Sequence, residues 1–268
     1  MSPDLYFALT LIVKMAVTAG FVVAATVTAE RAGPLVGGMV ATLPIGAGPV
    51  YIFLAMDHDA GFIAQSAVAS LAINAANATL AIVYSLLAQK RSLAVSLSGA
   101  FVVWTPFALA IRYADWGIAP AAAMNGLVLA LCIWSVRSLR HVRMRAFKAR
   151  WTDMLLRAVM VSVLVGVVVT FSVQLGPGGS GVLAVFPVVL TSIALVMHPR
   201  MGGKAAAAVL ANAPIGLIGF GLACAALHFT AEPLGKSAGL ALALLISVGW
   251  NVAMVRLHRM PADEPPLV

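Results

Sequence analysis

Carboxylates are scarce in this sequence. It has nine Asp and Glu among 268 residues, and none lies firmly inside an apolar run. Glu30 stands at the end of the first run, and the other acids fall in connecting segments or tails. Proton pumps and many symporters carry their proton on an intramembrane carboxylate, so that form of coupling is not expected here. Cysteine is nearly missing as well. Cys132 and Cys224 both sit in apolar stretches without a CxxC or CxxH neighbour. That excludes a disulfide framework and a thiolate metal site and leaves both as small packing residues. HExxH, GxSxG, P-loop and strand-borne GxGxxG patterns are also lacking, so the chain reads as no enzyme and no cofactor is expected. Charged residues make up only 10% of the chain against 62% hydrophobic, and the mean hydropathy is +1.02. A soluble domain of that composition would aggregate, and the bilayer is the expected solvent.

The hydrophobic residues divide into runs of membrane-spanning length, about 20 residues each. Nine spans are expected, at about 5–28, 35–56, 61–88, 93–111, 118–136, 154–175, 181–198, 205–228 and 236–255. The first has no basic leader segment ahead of it and reads as a retained span. The net charge of +8 does not call for nucleic acid, because the basic residues gather in particular loops. With the basic loop 137–150 in the cytoplasm, thirteen Lys and Arg lie on the cytoplasmic side and two, Arg112 and Lys236, outside. The expected topology is N-terminus out and C-terminus in. The basic loop would anchor this topology through anionic lipid headgroups.

The second half of the chain repeats the first at an offset of 143 residues. Lys14 falls on Arg157, Gly33-Pro34 on Gly176-Pro177, Gly38 on Gly181, Pro44 on Pro187 and Ala64 on Ala207. Matching loops carry opposite charge. The loop at Asp57-His58-Asp59 is acidic, whereas its counterpart at 198–204 contains Arg200 and Lys204. Opposite charge in matching loops predicts opposite orientation, with the fifth span permitting the inversion. The resulting expectation is an all-α polytopic protein with a 4+1+4 inverted repeat. Residues 1–112 form the first repeat, 113–150 a linker span and basic loop, 151–260 the second repeat and 261–268 a disordered tail.

The stretch GVLAVFPVVLTSIALVMH, and more loosely GGMVATLPIGAGPVYIFLAMDH, resembles the central segment of small four-span bacterial proteins of the GlpM-like kind. The resemblance implies a bacterial inner-membrane location and an origin by duplication, and it brings no catalytic residue. The fused inverted design is similar in principle to drug/metabolite-type transporters.

The chemistry is expected where the spans break. Gly and Pro crowd the second span between Gly33 and Pro49, including Pro44, and the seventh carries Gly176–Gly181 and Pro187. Proline removes a backbone donor, and in a bilayer the carbonyls it frees must be buried in protein or line a wet cavity. Interrupted spans at corresponding positions of two repeats point to a transport site. The third span adds a polar stripe, Ser66, Ser70, Asn74, Asn77 and Tyr84, at helical spacing. It either lines a pathway or bonds to neighbouring helices. Asn212 with Pro214 and Asn251 are the amides of the second repeat at comparable depth. Lys14 and Arg157 are the basic residues firmly within spans. They either bias a cavity toward anions or snorkel to the headgroups. Asp57-His58-Asp59 reads as a solvated turn.

These features predict a small secondary transporter or exporter of a small organic anion or zwitterion, with Lys14, Pro44, Asn74, Asn77, Arg157, Pro187, Asn212 and Asn251 as binding residues. The alternatives are a lipid-headgroup translocator, with Lys14 and Arg157 meeting a phosphate at each leaflet, and a non-transporting membrane subunit or assembly factor. Membrane lipids and the solute are the expected partners.

Overall fold

The computed structural model describes residues 3–31, 46–139 and 150–259. Pro44, Gly33-Pro34, most of the basic loop and the 261–268 tail lie outside them. The described residues form helices only, in the order α1 (Pro3–Arg31), α2 (Ala47–Asp57), α3 (Ala60–Leu87), α4 (Leu93–Tyr113) and α5 (Ile118–Ser135). After a 3-10 turn at Arg137–Leu139 follow α6 (Trp151–Ala184), α7 (Val188–Met201), α8 (Gly203–Ala211), α9 (Ala213–Thr230) and α10 (Lys236–Arg259). Among the described residues, seven helical stretches are long and apolar enough to cross a membrane. The chain is therefore an α-helical integral membrane protein.

Seven differs from the nine spans expected, for two reasons. Only Ala47–Asp57 of the second span is described, and at 11 residues it is half a crossing. The expected sixth and seventh spans are joined in one apolar stretch of 51 residues, Trp151–Met201. At about 1.5 Å per residue a straight helix of that length would run roughly 75 Å, far beyond a hydrocarbon core of about 30 Å. It is not straight. Gly176 adopts φ 64° and ψ −177°, a conformation open to glycine, and the helix turns there. A second interruption follows at Val185–Pro187, before α7 begins.

The core is built around α3. Leu71, Ile73, Leu80 and Tyr84 are fully buried, and α4, α5, α6 and α9 all pack on this helix. Small residues allow the close approach. Ala72, Ala75, Ala76 and Ala81 have no exposed surface. α1 packs on α6, α2 also on α6, and α10 on α9. The outer faces are apolar, with Val17, Val102, Leu127 and Leu245 exposed, as a lipid-facing surface requires. The α3 N-terminus is capped by Asp59, whose carboxylate accepts from the Phe62 amide at 2.8 Å. At the start of α6, Asp153 accepts from the Arg150 amide at 2.7 Å.

Contacts along α3 trace the path of the broken segment. Near its Asp57 end, His58 meets Ser172 and Arg112 donates to the Leu175 carbonyl. Further along, Ser70 meets Gly181, Asn77 meets Val185 and Tyr84 meets His198. At the far end, Gly203 lies against the Ala88 carbonyl. Residues 177–201 thus descend the length of α3 after the Gly176 turn, and the interruption falls at the level of Asn77.

Candidate functional site

The helix break at Ala184 strips two carbonyls of their intrahelical partners. In an unbroken helix the Gly181 and Val185 carbonyls would accept from the fourth amide onward. Instead the Val185 amide turns to Leu183 and the new helix starts from the Pro187 carbonyl, which accepts from Thr191. A bare carbonyl at that depth is costly. The α3 stripe takes up both. Ser70 donates to the Gly181 carbonyl at 2.7 Å, which leaves the Tyr51 hydroxyl, 2.7 Å away, as donor to Ser70. Asn77 donates to the Val185 carbonyl at 2.7 Å, and its own oxygen accepts from Trp104 Nε1 at 2.7 Å.

Asn74 and Tyr84 are bonded to neighbouring helices in the same way. Asn74 Nδ2 donates to Asn125 Oδ1 on α5 at 3.0 Å and to the Leu217 carbonyl on α9 at 2.9 Å. Tyr84 bonds His198 Nδ1 at 2.8 Å. Two buried atoms of the stripe remain without a hydrogen-bond partner, Ser66 Oγ and Asn74 Oδ1. Of the two roles expected for the stripe, bonding between helices accounts for most of it. We expect Asn77→Leu to cost about 2–3 kcal/mol in unfolding experiments in detergent. It orphans one buried carbonyl and one indole N–H, at about 1–3 kcal/mol per group in general and less within bilayers. Ser66→Ala removes an unpartnered hydroxyl and is expected to be close to neutral in the same assay.

The site residues expected from sequence are only partly brought together. Lys14 is 7% exposed, and its ammonium lies 2.5 Å from Asp57 and 5.6 Å from the centre of the Phe53 ring. Its charge is therefore compensated within the protein. Arg157 lies toward the other end of the bundle. There its neighbour Asp153 is engaged by Arg200, while Arg157 Nε is buried without a hydrogen-bond partner. Asn74 and Asn77 sit at the centre on α3, and Pro187 starts α7 beside the Val185 break. Asn212 marks the junction of α8 and α9, ahead of Pro214, and its side chain donates to the Ala208 carbonyl. Asn251 is buried and donates to Ser247, one turn back in its own helix. Pro44 falls outside the described residues.

The acidic turn is not simply a solvated loop, as its composition suggested. Asp57 holds Lys14, and Asp59 caps α3. His58 bonds Ser172 at 2.8 Å and stacks on Phe62 at 3.8 Å, while its carbonyl accepts from Lys236 at 2.7 Å. Burial lowers the His58 pKa from its ordinary value, against the opposing pull of Asp57 and Asp59. His58, Asp59, Gly61, Phe62, Gln65 and Pro177 line a polar hollow of about 330 Å³ at this end. The next residue after Gln65, Ser66, has a buried hydroxyl without a hydrogen-bond partner, and Gly181 lies so near the Ser66 carbonyl that a Cβ there would overlap it.

Asn125, on the fifth span, was not singled out from sequence. A single amide in an otherwise apolar span was the available signal. No family model, curated protein or solved structure matches this chain.

Proposed function

We propose that this chain is a small secondary transporter or exporter, fused from two inverted four-span repeats, that moves a small organic anion or zwitterion across a bacterial inner membrane by alternating access. The observation that carries the proposal is the meeting of two half-length helices. α2, of 11 residues, runs from Gly46 to the Asp57 end, and α7, of 14 residues, runs from Pro187 to the Arg200 end. Their starts meet where Gly46 faces Val189, at 3.8 Å from the position of a Cβ on Gly46. Val189 is the residue 143 positions after Gly46. Paired half-helices meeting inside the bilayer are the arrangement around which transporters bind solutes.

Further contacts support the repeat. Ala60 and Leu93 begin α3 and α4, and 143 residues later Gly203 and Lys236 begin α8 and α10. Asn74 bonds the Leu217 carbonyl, again its own counterpart. Ser85 Oγ lies 3.1 Å from the Ala207 carbonyl, and the counterpart of Ser85, His228, lies 3.0 Å from the carbonyl of Ala64, the counterpart of Ala207. A contact between a residue and its own counterpart, and a contact repeated in exchanged roles, are what a local two-fold axis produces. Divided at Gly176, the 151–201 stretch supplies two crossings, which makes eight among the described residues, and in this reading the second span, of which α2 is the described part, is the ninth.

In this reading two ion pairs hold the gates. Lys14–Asp57 ties α1 to α2 at one end, and Asp153–Arg200 ties α6 to α7 at the other. Breaking one while keeping the other lets one half-helix rock. With Lys14 compensated, Arg157 carries the attraction for an anion. The test is thermal unfolding in detergent against panels of anionic, zwitterionic, neutral and cationic metabolites. A ligand at about 100 times its Kd adds about 2.7 kcal/mol to the folded state. We expect a shift restricted to anions or zwitterions and lost in Arg157→Met. If no compound shifts the transition, the solute-transporter reading fails.

A further inference from the structure

On the flank of the bundle, α2, α9 and α10 enclose a slot of about 270 Å³ whose walls are almost wholly apolar. Ala47 and Tyr51 form one wall, Ala223 and Leu227 the second, and Leu240 and Leu244 the third. The Tyr51 hydroxyl is turned away to Ser70, so only its ring serves the slot. The lips are Ile52 and Leu244, 53% and 50% exposed on the face where the bundle meets hydrocarbon. Gly48 also lines the slot, and a Cβ built there meets no atom within 4 Å.

Two further observations say what the slot takes. Lys236, Leu240 and Leu244 follow one another at four-residue spacing and share a face of α10. The slot therefore leads along that face to a cation, and Lys236 also bonds the His58 carbonyl at the end of α2. The second observation is the matching space of the other repeat, between α7, α3 and α4. There Phe101, Trp104 and Phe186 pack on one another, with Phe186 6.0 Å from Phe101 and 5.2 Å from Trp104. Phe101 is the counterpart of Leu244, so where one repeat sets a ring against its neighbours the other sets a half-exposed leucine at the rim of the slot.

We propose that the α2–α9–α10 slot binds an acyl chain of a membrane glycerophospholipid, with the lipid phosphate at Lys236. A dry apolar cavity gains by admitting an apolar group. The group at hand in the bilayer is an acyl chain, and its phosphate lies at the surface, where Lys236 stands. The bound lipid would wedge α2 against α9 and α10 and form part of the wall on which that half-helix moves. The comparison between repeats rests on the duplication proposed above, whereas the slot and its lipid do not require that a solute be moved.

The test uses the full-length protein in phosphatidylethanolamine–phosphatidylglycerol vesicles that contain a phospholipid with a photoactivatable diazirine in its acyl chain. Labelled peptides are mapped by mass spectrometry. We expect labelling of slot residues on α2, α9 and α10 well above that of the plain lipid-facing surface at Leu127 and Leu131 of α5. In Gly48→Leu/Leu244→Phe, which fills the slot, slot labelling is expected to fall to the α5 level while α5 labelling stays unchanged. Lys236→Ala is expected to weaken slot labelling without abolishing it. Slot labelling no greater than that of α5 in the wild-type protein overturns the proposal. So does undiminished labelling in a folded slot-filled variant. The wild-type comparison decides the matter even if the filled variant fails to fold, and a blank solute panel leaves it untouched.

Discussion

Gly181→Ala is expected to cost about 4 kcal/mol or more. A Cβ at Gly181 would overlap the backbone carbonyl oxygen of Ser66 and lie 2.9 Å from the Ala69 methyl. A flexible side chain could swing aside, but a helix backbone cannot. The segment 177–184 would have to leave α3, breaking the Ser70 bond to the Gly181 carbonyl and loosening the Asn77 bond to Val185. Losses above 4–5 kcal/mol are rare and come from this kind of overpacking combined with orphaned polar groups. Gly178 is the control, three residues away on the same short helix and with nothing within 4 Å of its would-be Cβ. Gly178→Ala should leave stability unchanged or raise it by about 0.4–1 kcal/mol, because alanine has less chain entropy to lose. Unfolding of both variants in detergent gives the comparison. Equal effects would mean that the segment does not press on α3.

Asp57→Asn should destabilise the fold by about 2 kcal/mol, and more than Lys14→Met does. The two partners are unequally buried, with side chains 8% exposed for Lys14 and 37% for Asp57. Removing the carboxylate leaves an ammonium in the helix packing, with the Phe53 ring beside it. Breaking a fully buried pair costs about 3–5 kcal/mol, and partial exposure of Asp57 reduces that figure. Removing the ammonium leaves a carboxylate that water can already reach. In Lys14→Met/Asp57→Asn neither charge is stranded, and most of the loss should be recovered. A double-mutant cycle by thermal unfolding reads the coupling directly. Equal costs for the two single variants would mean that the Lys14 ammonium reaches water in the folded protein.

The site was legible where its chemistry is local. The helix breaks at Gly176 and at Pro187 could be read from the residues, because a positive φ favours glycine and proline has no N–H to continue a helix. The α3 stripe could be read from its spacing. Its destination could not, because Asn77 and the Val185 carbonyl are 108 residues apart, and no periodicity shows which carbonyl a break leaves bare. Lys14 was visible as a cation within a span, but its compensation by Asp57 was not. Asp57 is 43 residues away, in a turn whose acidic composition suggested only solvation. Asn125 passed unnoticed for the same reason, since its partner Asn74 comes from another helix.

The sequence by itself determined the solvent, the helical class and the places where helices stop. Hydrophobic run length, charge scarcity and Gly-Pro placement act on each segment alone, and a bilayer leaves an apolar segment almost no other structure. Only the tertiary structure decided how each polar group is used. It assigned the α3 stripe to the carbonyls of the broken segment, compensated Lys14 while leaving Arg157 Nε unpartnered, and left an apolar slot beside α2. Those outcomes depend on which helices become neighbours. Neighbours are chosen by small-residue packing summed over whole helix faces, and no single segment carries that information.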